Sequence, residues 1–199
     1  MSEYTVVRDV GVTLKTLLWS HMQFDSEVTS IIGTEQQITS EPPFKIVRDT
    51  DPEQDSLSIF LYRIVENGDM KNRPLESKGA NLLRYPPLFI NLFYLITPLT
   101  NSAINDQQLL SKTMQILHDN AILKGTALQG VLASTAEELR IILNPISMED
   151  LTKLWSAFMR PFRLSLSYEV RVIYIDSERE TEAERVRRKR LEFTQLSRV

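Results

Sequence analysis

Residue types with special structural or chemical roles are scarce in this chain. Among its 199 residues there is no cysteine, and there are only two histidines and six glycines. The absence of cysteine excludes a disulfide scaffold, a thiolate metal cluster and a cysteine nucleophile. The low glycine count, together with nine prolines, excludes collagen-like and low-complexity chains. The chain is nevertheless 42% hydrophobic, which is enough to fill the core of one folded domain.

Strong charge of one sign and long hydrophobic runs are also missing. The formal net charge is -3, whereas a dedicated nucleic-acid binder would show a strong basic excess. The longest apolar run, residues 86–96, is interrupted by Asn91 and is far shorter than the roughly 20 residues that cross a bilayer. The first 20 residues scatter four charged side chains among apolar positions, unlike a secretory signal. We therefore expect assembly in the cytoplasm, with no nucleic-acid partner and no membrane span.

No motif has the spacing of a catalytic or ligand-binding site. His21 and His118 lack a second ligand at the i+3 or i+4 spacing of a helical metal site. Acids alternate over residues 49–55 as at the start of a calcium loop, but Gln54 replaces the turn glycine and Phe60 the bidentate glutamate. A phosphate loop, a nucleophile elbow and a zinc signature are absent from the sequence. The sequence thus predicts no enzyme, and no catalytic, cofactor-binding or metal-binding residue.

Three segments have the apolar spacing of amphipathic helices. Hydrophobic side chains recur at helical spacing over residues 6–18, whereas Asp9 and Thr13 fall off that stripe. A second stripe begins at Asn105, which stands at the position of an N-cap, and a third follows Ser147, a good N-cap with acids in the next turn. We predict three helices that pack their apolar stripes against a sheet or against each other.

Four segments have the residue patterns of β-strands. Residues 57–65 and 88–96 are apolar on both faces, as in strands covered on both sides. We predict that they form the centre of the sheet and that Pro98 ends the second. Residues 139–143 predict a short strand, and residues 164–176 a long alternating strand of the kind that antiparallel sheets contain. The predicted fold class is therefore mixed α/β (α+β), with a mainly antiparallel central sheet flanked by helices.

The last predicted strand has one polar face. Its even-numbered positions are apolar, whereas the other face carries Ser165, Ser167, Glu169 and Arg171. Because an antiparallel sheet can leave one face wet, we predict that this face meets solvent or a partner. Asn91 interrupts an apolar strand and needs a hydrogen-bond partner if it is buried. We predict that Asn91 lies at an edge or an interface.

The charge pattern changes after Asp176. Residues 178–184 hold four acids and one base, and they are followed by five bases, Arg185, Arg187, Arg188, Lys189 and Arg190. Over residues 178–199 the seven bases are nearly balanced by five acids, which favours a solvated or partner-facing tail over a nucleic-acid site. We predict a core domain of residues 1–176 and a charged arm of residues 177–199, either an exposed helix or a coil that orders on a partner. The polar residues 66–85 predict an exposed hairpin loop.

Four blocks of sequence, taken in order, resemble one known family. They are PPLFINLFYLITP at residues 86–98, MQILHDN at 114–120, LWSAF at 154–158 and LSLSYEVRV at 164–172. In this order and spacing they resemble the cap, or tail-terminator, proteins of extracellular contractile injection systems. These systems are phage-tail-like particles, typified by the antifeeding prophage and the Photorhabdus virulence cassettes. The resemblance covers residues 5–176.

The resemblance implies a phage tail-terminator-like domain with a structural role and no catalytic residues. Six copies would form a homohexameric ring that contacts the last layer of tube, sheath or both, and ends their growth distal to the baseplate. An alternative is an adaptor that anchors the particle to a membrane or scaffold through the basic tail. The sequence is compatible with a released particle and with an anchored one. Each subunit of a ring presents two different patches. The candidate interface residues are Asn91, Ser165, Ser167, Glu169, Arg171, Arg185, Arg187, Arg188, Lys189 and Arg190.

Overall fold

The chain forms a central sheet with helices on both faces. The computed structural model describes residues 4–48, 51–52, 54–71, 73–77, 81–135 and 137–182. The α-helices are α1 Val6–Met22, α2 Ser26–Thr29, α3 Pro43–Ile46, α4 Ala103–Asp119 and α5 Met148–Ala157. The β-strands are β1 Ile38–Thr39, β2 Val47–Arg48, β3 Asp51–Pro52, β4 Ser56–Glu66, β5 Glu76–Ser77, β6 Leu82–Arg84, β7 Leu88–Leu99, β8 Ile122–Lys124, β9 Glu138–Leu143, β10 Leu166–Ile175 and β11 Glu180–Glu182.

Six strands form the main sheet, in the order β1-β4-β7-β10-β9-β8. Only β1 and β4 run parallel, and the other neighbours are antiparallel, which confirms the predicted fold class. The prediction of the sheet centre is right for β7, but β10 shares that position and β4 lies one strand outward. Pro98 does not end β7, which continues to Leu99. Because β10 begins at Leu166, opposite Ile96, no strand lies on that side of Pro98 to need its missing N–H.

The larger core lies between the sheet and the helices α1 and α4. Side chains from one face of β4, β7, β9 and β10 pack there against the apolar stripes of the two helices. The smaller core lies on the opposite face, where Leu95 and Leu99 are buried together with Leu151 and Trp155 of α5. Burying both faces of β7 explains why its sequence is apolar at nearly every position.

Two β-bulges change which side chains face which core. The pairing of β4 with β7 shifts between Leu61 and Arg63, and that of β10 with β7 shifts between Val170 and Ile173. A single extra residue in a strand reverses the faces of all the residues beyond it. The predicted apolar face of β10 is therefore right only as far as Val170. Beyond the bulge, the fully buried Ile173 takes the core position, and Tyr174 turns to the other face opposite Phe89.

Two helix predictions need correction. Asp9 and Thr13 are not on the exposed side of α1 but are buried, because the loop before β9 packs over them. Helix α4 starts before Asn105, with Ser102 as its N-cap; the Ser102 hydroxyl accepts a hydrogen bond from the Asn105 N–H at 3.4 Å. The predicted cap at Ser147 is confirmed, since its hydroxyl accepts from the Asp150 N–H at 3.1 Å.

The segment 66–85 is more ordered than a hairpin loop. It contains β5 and β6, and β6 also pairs with β11 to give a small three-stranded sheet in the order β11-β6-β5. The guanidinium of Arg179 lies over the ring of Tyr85, 4.2 Å from its centroid. The first residues of the predicted arm thus form a strand where the sequence also allowed a helix, and the division of the chain at residue 176 stays a prediction.

Candidate interaction surface

The polar face of β10 is covered within the subunit. Ser165, Ser167 and Glu169 are only 6%, 1% and 7% exposed, so the prediction of a wet face is wrong for these three residues. The reason is that helix α5 and its flanking segments cover the same face of the sheet, and neighbouring strands supply polar partners. A role for these residues at a subunit interface stays a prediction.

Hydrogen bonds satisfy both serines inside the fold. The Ser165 hydroxyl lies 3.0 Å from that of Thr97 on β7 and donates to the Arg163 carbonyl at 3.0 Å. The Ser167 hydroxyl lies 2.9 Å from that of Tyr62, the residue at the β4 bulge, and accepts from the Asn144 side-chain amide at 3.0 Å. These bonds connect β4, β7 and β10 and fix their relative positions, as buried polar groups must be paired.

A second polar cluster contains Asn91, Glu169 and Arg171. Asn91 Oδ1 accepts from Nδ2 of Asn67 at 3.2 Å, and Asn91 Nδ2 donates to Glu169 Oε1 at 2.8 Å. Nη2 of Arg171 lies 2.8 Å from the other oxygen, Oε2. The hydrogen bond and the charge of Glu169 raise the pKa of Arg171. Asn91 has the hydrogen-bond partners that a polar residue in a sheet requires, but it lies on a central strand, so the prediction of an edge position is wrong.

A groove with both polar and apolar lining residues opens beside the second cluster. It has a volume of about 640 Å³ and is lined by Asn67, Asp69, Glu138, Arg140, Arg171 and Tyr174, among others. The Arg171 side chain, 49% exposed, is the one member of the predicted polar face that reaches this groove. Both acidic and basic side chains line it, which suits a mixed protein contact better than one charged ligand.

Nothing in the described part of the chain has the geometry of a metal site, since no three histidine or acidic side chains converge there. The five basic residues predicted as contacts, Arg185, Arg187, Arg188, Lys189 and Arg190, lie outside the described residues. Among the predicted interface residues that the structure describes, Asn91, Glu169 and Arg171 form one cluster. Ser165 and Ser167 lie on the same face in separate hydrogen-bond groups.

Sequence patterns missed an exposed apolar site at the end of α5. The apolar spacing of Leu151, Trp155 and Met159 predicts that Met159 belongs to the core, but α5 ends at Ala157 and Met159 is 88% exposed. The neighbouring Phe162 is 46% exposed and stacks edge-on against Trp155, with ring centroids 6.3 Å apart. Pro161 was the available signal, because the residue before a proline avoids the helical region.

A second apolar feature lies at the opposite flank of the sheet. Between α4 and β9 there is a pocket of about 340 Å³ lined by Met114, Leu117, His118, Ile141, Leu143 and Tyr168, with two further residues. Met114 and Leu143 at its rim are 39% and 47% exposed.

The family model of the Pvc16 N-terminal domain matches residues 9–189 of the chain. The chain belongs to this family. No curated protein matches the sequence. Within the residues that the structure describes, no helix is both long enough and apolar enough to cross a membrane.

Two solved structures share the fold. One is a sheath/tube terminator, in the extended state, of the extracellular contractile injection system PVC; its TM-score is 0.62 at 23% identity, over 99% of this chain and 66% of that one. The other is the tube-terminating cap of the anti-feeding prophage, with a TM-score of 0.59 at 21% identity over 94% of this chain and 61% of that one. The chain thus spans less than two thirds of either length. The tail-terminator fold is confirmed, and these two structures are of a terminator and a cap rather than of enzymes.

Proposed function

We propose that this chain is a cap subunit that terminates the tube, the sheath or both in a contractile phage-tail-like particle. The observation that carries the proposal is the match over 99% of the chain to the fold of a sheath/tube terminator, in a chain that belongs to the Pvc16 N-terminal domain family. A structural role also fits the internal hydrogen bonds of the central strands, which hold the subunit surface in one shape.

The proposed arrangement is a homohexameric ring at the end distal to the baseplate, assembled in the cytoplasm. Neighbours in such a ring make head-to-tail contacts, so each subunit needs two different complementary patches. The exposed Met159 and the pocket at Leu143, on opposite flanks of the sheet, are available for this purpose. The groove beside Arg171 and the basic arm are further candidates for contact with tube or sheath.

Deleting the gene in a strain that makes the particle tests the proposal. We expect tubes of variable and increased length without a closing density at the end, and restoration when the full chain is supplied from a plasmid. Particles that keep their length and their closed ends in the deletion strain would exclude a cap function. Electron microscopy of the purified chain tests the ring separately through its six-fold symmetry.

The contribution of the arm is tested by a truncation that leaves the described fold intact. Because β11 at Glu180–Glu182 pairs with β6, a chain ending after Glu182 keeps that strand, whereas a chain ending after Asp176 loses it. We expect the chain that ends after Glu182 to give a lower fraction of capped particles, with no change in its own thermal stability. The matched control replaces the five bases of residues 185–190 by glutamine in the full-length chain, and separates charge from length.

The basic run also supports an adaptor that binds an anionic membrane, and sedimentation separates the two functions. A cap should stay in the supernatant when vesicles containing phosphatidylserine are pelleted at physiological salt. Co-sedimentation of the full chain, abolished by removing residues 183–199, would favour the adaptor.

A further inference from the structure

Met159 has a backbone conformation that favours glycine. Its φ angle is 54°, and it is the only non-glycine residue with positive φ among those the structure describes. Two hydrogen bonds define the turn that follows α5: the Met159 N–H donates to the Ser156 carbonyl at 3.0 Å, and the Arg160 N–H to the Trp155 carbonyl at 3.4 Å. This is the Schellman arrangement, in which glycine is usual at the position of Met159 because a Cβ there is strained.

The Met159 side chain gains little within the subunit to offset that strain. It is 88% exposed, so most of its apolar surface remains in water. A residue held in an unfavourable conformation, with its side chain directed outward, is a reason to look for a contact outside the subunit. A flexible thioether is also well suited to filling an apolar pocket of irregular shape.

Met159 and the apolar pocket lie at opposite flanks of the sheet. The residue before Met159, Phe158, packs on Phe44 and on Phe60 of β4, with ring centroids 5.2 and 6.0 Å apart. The pocket lies instead beside β9, on the other side of β7 and β10. One subunit therefore cannot insert its own Met159 into its own pocket without unfolding the sheet between them.

We propose that Met159 of one copy inserts into the pocket between α4 and β9 of the next copy, and that this contact repeats around the ring. The inference rests on the proposed function, because it requires copies of the chain to assemble head to tail. The pocket volume of about 340 Å³ is large enough for a methionine side chain. Groups of opposite charge lie near the two sides of the contact, since Arg160 adjoins Met159 and the exposed Asp119 follows the pocket residue His118.

Thiol cross-linking gives a direct test, because the natural chain has no cysteine. The Met159→Cys protein and a size-tagged Leu143→Cys protein are mixed at a concentration where the wild type assembles, and treated with a short bismaleimide. We expect a cross-linked heterodimer. The matched control uses the Ile104→Cys protein in place of the Leu143→Cys protein. Ile104 is apolar, 75% exposed and outside the pocket, so this pair should give about tenfold less cross-linked product.

Two substitutions of Met159 separate assembly from folding. Met159→Gly relieves the strained conformation and should raise the melting temperature by about 2–4 °C, yet weaken assembly by about tenfold or more because the buried apolar surface is lost. Met159→Gln keeps the size and the strain and should weaken assembly without raising the melting temperature. A merely structural role for Met159 predicts that neither variant changes assembly.

Several results would overturn the inference. Rings that form equally well with Met159→Gln and without the cross-link exclude this contact while leaving the cap function intact. An intramolecular cross-link between Leu143→Cys and Phe193→Cys in one chain, without the intermolecular product, identifies the pocket as the site of the chain's own arm. A wild-type chain that stays monomeric and whose deletion leaves particle length unchanged removes the proposed function and this contact together.

Discussion

The backbone N–H of Val131 donates a hydrogen bond to Oδ2 of Asp9 over 2.9 Å. The other oxygen of this carboxylate, Oδ1, lies 2.7 Å from Nη2 of Arg8. One turn further along the same helix, the Thr13 hydroxyl accepts a hydrogen bond from the Gln129 N–H at 3.0 Å. Two polar side chains of α1 thus bind the loop that precedes β9. The helix and this loop are more than a hundred residues apart in the sequence.

Gly130 is essential to this contact. Its φ angle is 61°, and a Cβ atom at this position would overlap the Asp9 carboxylate. We predict that Gly130→Ala lowers the free energy of unfolding by about 3 kcal/mol, through backbone strain and overpacking together. Gly125→Ala is the matched control, because its φ is 60° but a Cβ there meets nothing within 4 Å; it should cost about 1 kcal/mol. Equal losses in urea denaturation would contradict the contact.

The Asn91 hydrogen bond should matter more than the ion pair of Glu169. Glu169→Gln keeps an acceptor for Asn91 but replaces the oxygen that faces the half-exposed Arg171 by an amide NH2, which removes the ion pair. We expect a loss of about 1 kcal/mol. Glu169→Leu leaves the Asn91 amide without its acceptor and should cost about 2–3 kcal/mol. In a double-mutant cycle, adding Asn91→Leu should recover part of that loss. Equal effects of Gln and Leu would contradict this ranking.

Asp25 should make stability depend on acid pH. A hydrogen bond from Lys112 is the main cause that lowers its pKa from 3.8, and a hydrogen bond from the Val28 N–H lowers it further. Because the pKa is depressed in the fold, the stabilisation is present above pH 3.8 and is lost as the pH falls through the folded-state pKa. The advantage of the wild type over Asp25→Asn, a variant that still caps α2, should shrink over this range in thermal melts. In a Lys112→Gln background, most of the pH dependence should disappear.

Tyr94 carries a buried hydroxyl without a hydrogen-bond partner in the described structure. We predict that Tyr94→Phe stabilises the fold by about 1 kcal/mol, because no bond is lost and a buried polar group is removed. Tyr62→Phe is the matched control with the opposite sign, since it removes the bond to Ser167. Burial also raises the pKa of Tyr94 above its usual 10.0. The wild type should therefore lose stability above pH 10 faster than Tyr94→Phe.

Local patterns were enough to predict the three longest helices and the long strands, but not the short helices α2 and α3. The stripe of α1, the cap at Ser147 and the apolar run of β7 depend on neighbours within a few residues, and all three are confirmed. The fold class follows from these elements. Strands that are apolar on both faces must be covered on both sides, and the predicted amphipathic helices are the elements that can cover them.

The details of the site depend on contacts between distant residues. The bulge between Val170 and Ile173 is visible only in the pairing of β10 with β7, and nothing in the local alternation of β10 marks it. Asp9 is buried because a loop over a hundred residues away supplies a donor. Ser167 can be buried because Tyr62 and Asn144 supply hydrogen-bond partners. Both partners are distant in sequence, so the polar pattern alone predicts a solvent-facing strand face.

The position of β7 has a mechanical consequence. It is paired with β4 and β10, both antiparallel to it, over nearly its whole length. A force directed along these strands would have to shear many backbone hydrogen bonds at once, whereas a force across the sheet would open them one at a time. In the proposed cap, a subunit would therefore resist recoil best with β7 aligned to the particle axis. It would yield first at the short edge strands β1 and β8.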